Sequence, residues 1–358
     1  MDVSEIDKNF KSEKSSDFSA DVYDASEPPF TVYGGFCEEK RKFEKMPLKE
    51  AEQIGAGVLW GSGCCAGIRI TFSTDSENIR LRAKIRNKCR SVNMPFLSTA
   101  SFTLKEDEDG KSRLAGNFIT DGREEINECD GYLKLKGKKL RRYVLYLPLY
   151  SGTDDIFVYL DKGCKLKKYE KFAGTPRILY YGSSVTQGAC ASRADNTYQE
   201  LVSEATGFDY TVLGFSGGAR AEDGMIAALK KADCDIFVCC YDHNAPDVEY
   251  LSSTHEKLYK SFRENPAHKN VPVIFLSKTY DKNDSEMKKR SEVIKRTYLN
   301  AKRAGENVYY IDGGKIFPEN LKEHCTVDGC HPTDLGFYFI AKTIIKKIRS
   351  FEKGLWNT

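Results

Sequence analysis

The hydrophobic period of this chain changes once, near residue 170, and that change restricts its fold more than any other feature. Before it, short alternating segments recur: FTVYGGF, GIRITFS, IRLRAKI, SFTLKE, YLKLKG, RRYVLYLPLY and DIFVYL, separated by turn material such as STDSEN, KEDEDGK and SGTDD. Period-two strands at that spacing, with no convincing helix among them, predict an antiparallel β-sandwich of jelly-roll type. After the linker LKKYEKFAGTP, the apolar runs RILYYG, YTVLGF, DIFVCCY, VPVIFLS and NVYYID alternate with segments of helical period, and DLGFYFIAKTIIKKIRSF closes the chain. Strand and helix in alternation predict an α/β domain: a parallel sheet covered on both faces, with ligands bound beyond the carboxyl ends of its strands. The expected division is a polar N-terminal segment over 1–28, the sandwich over 29–168 and the α/β domain over 169–358. A chain of 358 residues, 40% hydrophobic and 12% aromatic, can supply both cores.

Charge excludes some partners. The 55 basic and 52 acidic residues nearly cancel, and a net +3 gives no electrostatic reason for nucleic acid or an anionic membrane. The opening MDVSEIDKNFKSEKSSDF lacks the apolar centre and cleavage site of an export signal. IFVCCY, the longest apolar run, falls well short of the roughly 18 residues of a membrane span. The expectation is a soluble, cytoplasmic protein with a small or neutral substrate, a homo-oligomer being left open. Twelve scattered cysteines suit reduced thiols. Only HCTVDGCH gathers ligand-type residues, namely His324, Cys325, Cys330 and His331, and its Cys-x4-Cys spacing suits zinc poorly. No metal and no organic cofactor are expected.

Four motifs fall at predicted strand ends. The first strand runs into Gly182-Ser183-Ser184, the second into Ser216-Gly217-Gly218, the third into Asp242-His243-Asn244, and Asp328 precedes His331 by three residues just before the closing helix. Together they are the inventory of a serine hydrolase: a nucleophile, a base, a carboxylate that orients the base, and donors for an oxyanion. Two serines compete for the nucleophile's role. Gly214-Phe215-Ser216-Gly217-Gly218 matches the G-x-S-x-G elbow of α/β-hydrolases, and Asp328 with His331 would serve Ser216 in the same chain order. That fold, however, needs several strands before the elbow, whereas one parallel strand precedes Ser216; the elbow also leaves GSSVTQG and the Asn244 turn without a use. Ser184 is therefore the favoured nucleophile, with Ser183 as a turn hydroxyl. Of the other histidines, His255 and His268 are expected to be solvent-exposed, and His243 either to line the pocket or to pack beside it. Arg193 and Arg220 follow the first two loops and are candidates to meet a polar substrate. Asp334 is expected to cap the closing helix.

In order and wording, these motifs resemble the SGNH (GDSL-type) hydrolases, whose blocks carry Ser, Gly, Asn and Asp-x-x-His, here Ser184, Gly217, Asn244 and Asp328 with His331. The stretches YYGSSVTQG, LGFSGG, YDHNAP and VDGCHPTDLGF are similar to a bacterial branch with an N-terminal β-sandwich, which includes carbohydrate acetylesterases and other short-acyl esterases. The resemblance implies a three-layer αβα SGNH-hydrolase domain, a Ser184-His331-Asp328 triad, and an oxyanion hole from the N–H groups of Ser184 and Gly217 with the Asn244 amide. It further implies a short acyl ester, acetyl foremost, of a carbohydrate as substrate. Other acyl-ester or thioester hydrolysis, acyl transfer, or sugar binding by an inactive domain are the alternatives. The chain departs from the family pattern at Ser183 in the first block, at Asp242 where the third usually has Gly, and at Ser101-Phe102-Thr103-Leu104-Lys105 where the sandwich of the branch carries G-x-D-L-Y.

Overall fold

The computed structural model describes residues 6–7, 18–35, 42–108, 111–279 and 284–351. The first domain lays down β1 (Ala20–Asp24), β2 (Thr31–Tyr33), β3 (Lys42–Phe43), β4 (Arg69–Thr74), β5 (Asn78–Arg86), β6 (Phe102–Glu108), β7 (Lys111–Phe118), β8 (Glu128–Lys134), β9 (Arg141–Tyr146), β10 (Gly152–Asp161) and β11 (Leu166–Lys167). One sheet runs β1-β10-β5-β8 with β3 on β10; the other runs β11-β4-β9-β6-β7 with β2 on β4, and the pairings are antiparallel. Alternation decides which face is inward: Ile79, Leu81, Ala83 and Ile85 of β5 meet Ile70, Phe72, Tyr143 and Leu145 in one core between the sheets.

Sequence reading missed two features here. β1 lies inside the segment read as polar and N-terminal to the sandwich, because an edge strand solvated on one side can carry Asp21 and Asp24. The helices Leu48–Ile54 and Ala56–Ser62 are each seven residues long and break at Gly55, too short for a helical period to declare itself.

The second domain holds β12 (Arg177–Gly182), β13 (Asp209–Gly214), β14 (Ile236–Cys240), β15 (Val273–Leu276) and β16 (Val308–Ile311), parallel in the order β13-β12-β14-β15-β16. Helices cover both faces, which is why its strands read as unbroken apolar runs. Ile178 and Tyr180 of β12 point toward Tyr198, Val202, Phe337 and Ile344, while Leu179 and Tyr181 point toward Met225, Leu251, Leu258 and Phe262. Contrary to expectation, His255 and His268 are each 2% exposed: His255 Nδ1 meets Thr297 Oγ1 at 2.9 Å, and His268 bonds backbone carbonyls of Phe262 and Ala232. A helix whose far side packs on a neighbouring helix buries polar residues that its own pattern leaves outside.

The two domains are locked together by buried polar groups. The Arg69 guanidinium on β4 is fully buried, bonds Asp209 Oδ1 at 2.7 Å and stacks 3.5 Å from the Tyr210 ring centre. Tyr146 donates to Glu200, and Lys105 pairs with Glu204. Lys105 ends the stretch in which the sandwich signature departs from its usual form; the departure thus sits at an inter-domain ion pair.

Candidate active site

Register brings three loops together. Gly182 pairs with Gly214 on one side and with Cys240 on the other, so the chains leaving β12, β13 and β14 start from neighbouring positions about 5 Å apart on one sheet edge. Ser184 is the first residue of the short helix Ser184–Gln187, where the Ser183 hydroxyl accepts from Val185 N at 3.3 Å. Its side chain is thereby presented at the sheet edge while the residue stays 8% exposed.

His331 reaches it from the other side. Ser184 Oγ lies 2.9 Å from His331 Nε2, and His331 Nδ1 lies 2.8 Å from Asp328 Oδ2. The turn is closed by the N–H groups of Cys330 and His331, which donate to Asp328 Oδ1 at 3.0 and 2.8 Å. Partial burial acts to raise the Asp328 carboxyl, but these hydrogen bonds outweigh it and hold the group at about 2, so it is ionised at neutral pH. Asp334 is not the cap of the closing helix: Thr333 Oγ1 accepts from Gly336 N, and Asp334 instead binds Ser192 and Asn196.

Ser216 has no such partner. Its N–H donates to Gln187 Oε1 at 2.9 Å and its hydroxyl adjoins the buried Tyr150 phenol; among the described residues no histidine contacts it. The elbow pattern folds instead as a turn with Gly217 at φ +68°, a left-handed conformation that favours glycine, and Gly217 is exposed at the mouth of the site. Arg220 Nε donates to the Gly217 carbonyl at 3.1 Å, while Arg193 is bound to Asp195, so both arginines are engaged by groups of the protein itself.

Asn244 donates one amide hydrogen to Phe215 O at 2.9 Å, which ties the third loop to the second and leaves its other hydrogen free. The residue that departs from the family pattern, Asp242, braces the third loop from beneath. Its Oδ2 accepts from Lys278 N at 2.8 Å, and Arg290 Nη1 bonds the carbonyls of Asp242 and Ala245 at 2.9 and 2.8 Å. Burial pushes the Asp242 carboxyl up to about 6.

The ligand-type residues of HCTVDGCH part company. Cys325 is buried and donates to Leu321 O, whereas Cys330 Sγ lies 3.6 Å from His243 Nδ1. Cys240, Asp242 and His243 bring ligand atoms within 4.8 Å of one another. Burial, followed by the nearby Lys278, His331 and Arg290 side chains, lowers His243 well below its usual range, and the Lys278 and Arg290 cations beside the cluster make it a poor cation site.

The sandwich completes the site with residues that no motif announced. Tyr150 OH donates to Ser184 O at 3.3 Å, and Asn93 Nδ2 approaches Asp328 Oδ2 at 3.4 Å. Trp60, 39% exposed, has its ring 6.1 Å from that of Tyr150. Its helix packs closely on the Gly217–Gly218 turn: a Cβ on Gly57 would lie 3.0 Å from Gly218 Cα, and one on Gly218 would lie 2.7 Å from Gly57 C, closer than side chains come.

The parallel sheet with this serine, asparagine and Asp-x-x-His at its edge defines an SGNH-type hydrolase carrying a β-sandwich. Residues 175–349 match the GDSL-like Lipase/Acylhydrolase family, and residues 21–166 match the GxDLY family, the N-terminus of Esterase_SGNH_hydro-type proteins. The chain belongs to this family of SGNH-type esterases. No curated protein gives a significant sequence match. Among solved structures, the chain is similar to a putative GDSL-like lipase from Bacteroides ovatus (23% identity, TM-score 0.84, covering 94% of this chain and 98% of that one). It is also similar to the salicylyl-acyltransferase SsfX3 from a tetracycline biosynthetic pathway (17%, 0.77, 93% and 98%) and to a family two carbohydrate esterase from Cellvibrio japonicus (13%, 0.57, 93% and 98%). No described helix is long and apolar enough to cross a membrane.

Proposed function

We propose that this protein is a serine esterase that removes short acyl groups, acetyl foremost, from a carbohydrate. The observation that carries the mechanism is the continuous chain Ser184 Oγ, His331 Nε2, His331 Nδ1, Asp328 Oδ2 with gaps of 2.9 and 2.8 Å. Ser184 Oγ forms a bond to the ester carbonyl carbon as His331 Nε2 takes its proton, and the ionised Asp328 steadies the imidazolium. The negative oxygen is received by the N–H groups of Ser184 and Gly217 and by the free hydrogen of the Asn244 amide. The alcohol leaves with the proton from His331. Water, giving a proton to the same nitrogen, then attacks the acyl-serine and releases the acid. Residues of this chain supply every group in this scheme.

The carbohydrate part of the reading is supported by the likeness of fold to a carbohydrate esterase and by Trp60, an exposed aromatic residue whose ring lies 6.1 Å from that of Tyr150. Among the described residues every cysteine is a free thiol, which supports a reducing, cytoplasmic location. Acyl transfer is the second reading, favoured by the likeness to the salicylyl-acyltransferase; the same acyl-enzyme would then meet an alcohol in place of water.

The test incubates wild type, Ser184→Ala and Ser216→Ala with a fluorophosphonate and with acetylated oligosaccharides, following acetate by mass. Wild type and Ser216→Ala are expected to label stoichiometrically and release acetate, and Ser184→Ala to do neither. Labelling that survives in Ser184→Ala but not in Ser216→Ala would reverse the assignment. A new ester on an added sugar, in place of acetate, would establish transfer.

A further inference from the structure

The sandwich domain sends one lysine into the floor of the site. Lys45, two residues beyond β3, is 2% exposed; its Nζ donates to Gly214 O at 2.6 Å and stands 4.9 Å from the centre of the Phe215 ring. Its backbone N–H is bound to Ser62 O at 3.1 Å, which anchors the residue to the end of the helix Ala56–Ser62. Among the described residues no carboxylate pairs with this ammonium; the titratable groups facing it are the Cys64 and Cys65 thiols, with Arg86 beyond them. A buried cation without a counter-ion is costly to keep. An apolar side chain of the same length would fill the space and avoid that cost.

What the ammonium does hold is the root of the oxyanion turn. Gly214 ends β13, and Phe215 is the hinge from which both proposed side donors hang. Its carbonyl accepts from Asn244 Nδ2 at 2.9 Å and from Gly218 N at 3.0 Å, closing the turn that carries Gly217. Lys45 grips this hinge at two points, the carbonyl before Phe215 and the face of its ring, where a cation is favoured.

We propose that Lys45 is a positioning residue of the esterase site: its ammonium fixes the Gly214–Phe215 hinge so that Gly217 N–H and the Asn244 amide meet the oxyanion. The sandwich thereby takes part in acyl transfer without touching substrate. This rests on the serine-esterase reading above. A consequence is a dependence on pH that structure-only packing would not produce. Burial lowers the Lys45 ammonium to about 8, while the neighbouring Cys64 and Cys65 thiols stay protonated to about 11 and about 12 and so supply no counter-charge there. Turnover is then lost on the alkaline side as the cation over Phe215 discharges.

The test measures kcat and KM of full-length wild type and Lys45→Met with p-nitrophenyl acetate from about pH 7 to about pH 10, after titrating both with a fluorophosphonate. Both proteins are expected to label fully at Ser184. Lys45→Met is expected to lose about tenfold or more in kcat at neutral pH, with KM within about twofold, and to lack the inflection near 8 that wild type shows. A labelled, active Lys45→Met with wild-type kcat and the same inflection would overturn the proposal, as would a flat wild-type profile between about pH 7 and 9, a measurement that needs no variant. Wild type that neither labels nor hydrolyses the ester would instead remove the esterase reading on which the proposal rests.

Discussion

Lys45→Met also makes a stability prediction whose sign and size follow from burial. The ordinary lysine value is 10.5, and inside the protein Lys45 stands at about 8. Across that interval the unfolded chain binds the proton that the folded chain has given up, so stability rises with pH between about 8 and 10.5. The gain is present above the unfolded value and is lost as pH falls through the folded one. Its full size is about 3 kcal/mol, which at neutral pH stands as a penalty for keeping the ammonium buried. Lys45→Met removes that penalty but strands the Gly214 carbonyl, a loss of about 1–3 kcal/mol for a buried acceptor. The two effects nearly offset at pH 7, so the variant is expected to fold with a stability close to wild type. By pH 10 the wild type has lost its penalty and gains on the variant by up to about 3 kcal/mol. Urea unfolding followed by far-UV circular dichroism across this range gives both curves. The buried thiols and phenols titrate in both proteins, so the difference between the curves isolates Lys45. Parallel curves, or a gap that shrinks as pH rises, would refute the placement of an unpaired ammonium at Gly214.

Two further changes probe the other supports of the site. Asn244→Ala removes the proposed oxyanion donor and the link to Phe215 O, and is expected to lower kcat by about 10²–10³ while thermal unfolding shifts little; a variant with wild-type kcat would take Asn244 out of the mechanism. Gly57→Val places a side chain where a Cβ alone would already lie 3.0 Å from Gly218 Cα. It is expected to cost about 1–3 kcal/mol by overpacking and to reduce turnover more than a comparable substitution at exposed Gly137, as read from denaturation midpoints beside p-nitrophenyl acetate kinetics.

Local pattern carried a large part of this protein. The switch from period two to alternating strand and helix is written in consecutive residues, and it divides sandwich from parallel sheet because each element must bury its own apolar stripe. The positions proposed for the site, Ser184, Asn244, Asp328 and His331, could be picked out for a related reason: each lies in a short segment directly after a strand or before a helix, where local sequence sets much of the backbone. Tertiary structure alone decided what those turns meet. Gly214-Phe215-Ser216-Gly217-Gly218 satisfies the elbow pattern as fully as any nucleophile, yet the histidine, more than a hundred positions away, arrives beside Ser184 while Gln187 and Tyr150 occupy Ser216. Lys45, Gly57, Asn93 and Tyr150 carry no motif, since their contacts to the site depend on how two domains dock, and the ion pairs of Arg69 with Asp209 and of Lys105 with Glu204 link those domains across long sequence separations. A sequence states what each segment can do within its own span; which segments come together is settled by packing, which sets His331 Nε2 2.9 Å from Ser184 Oγ.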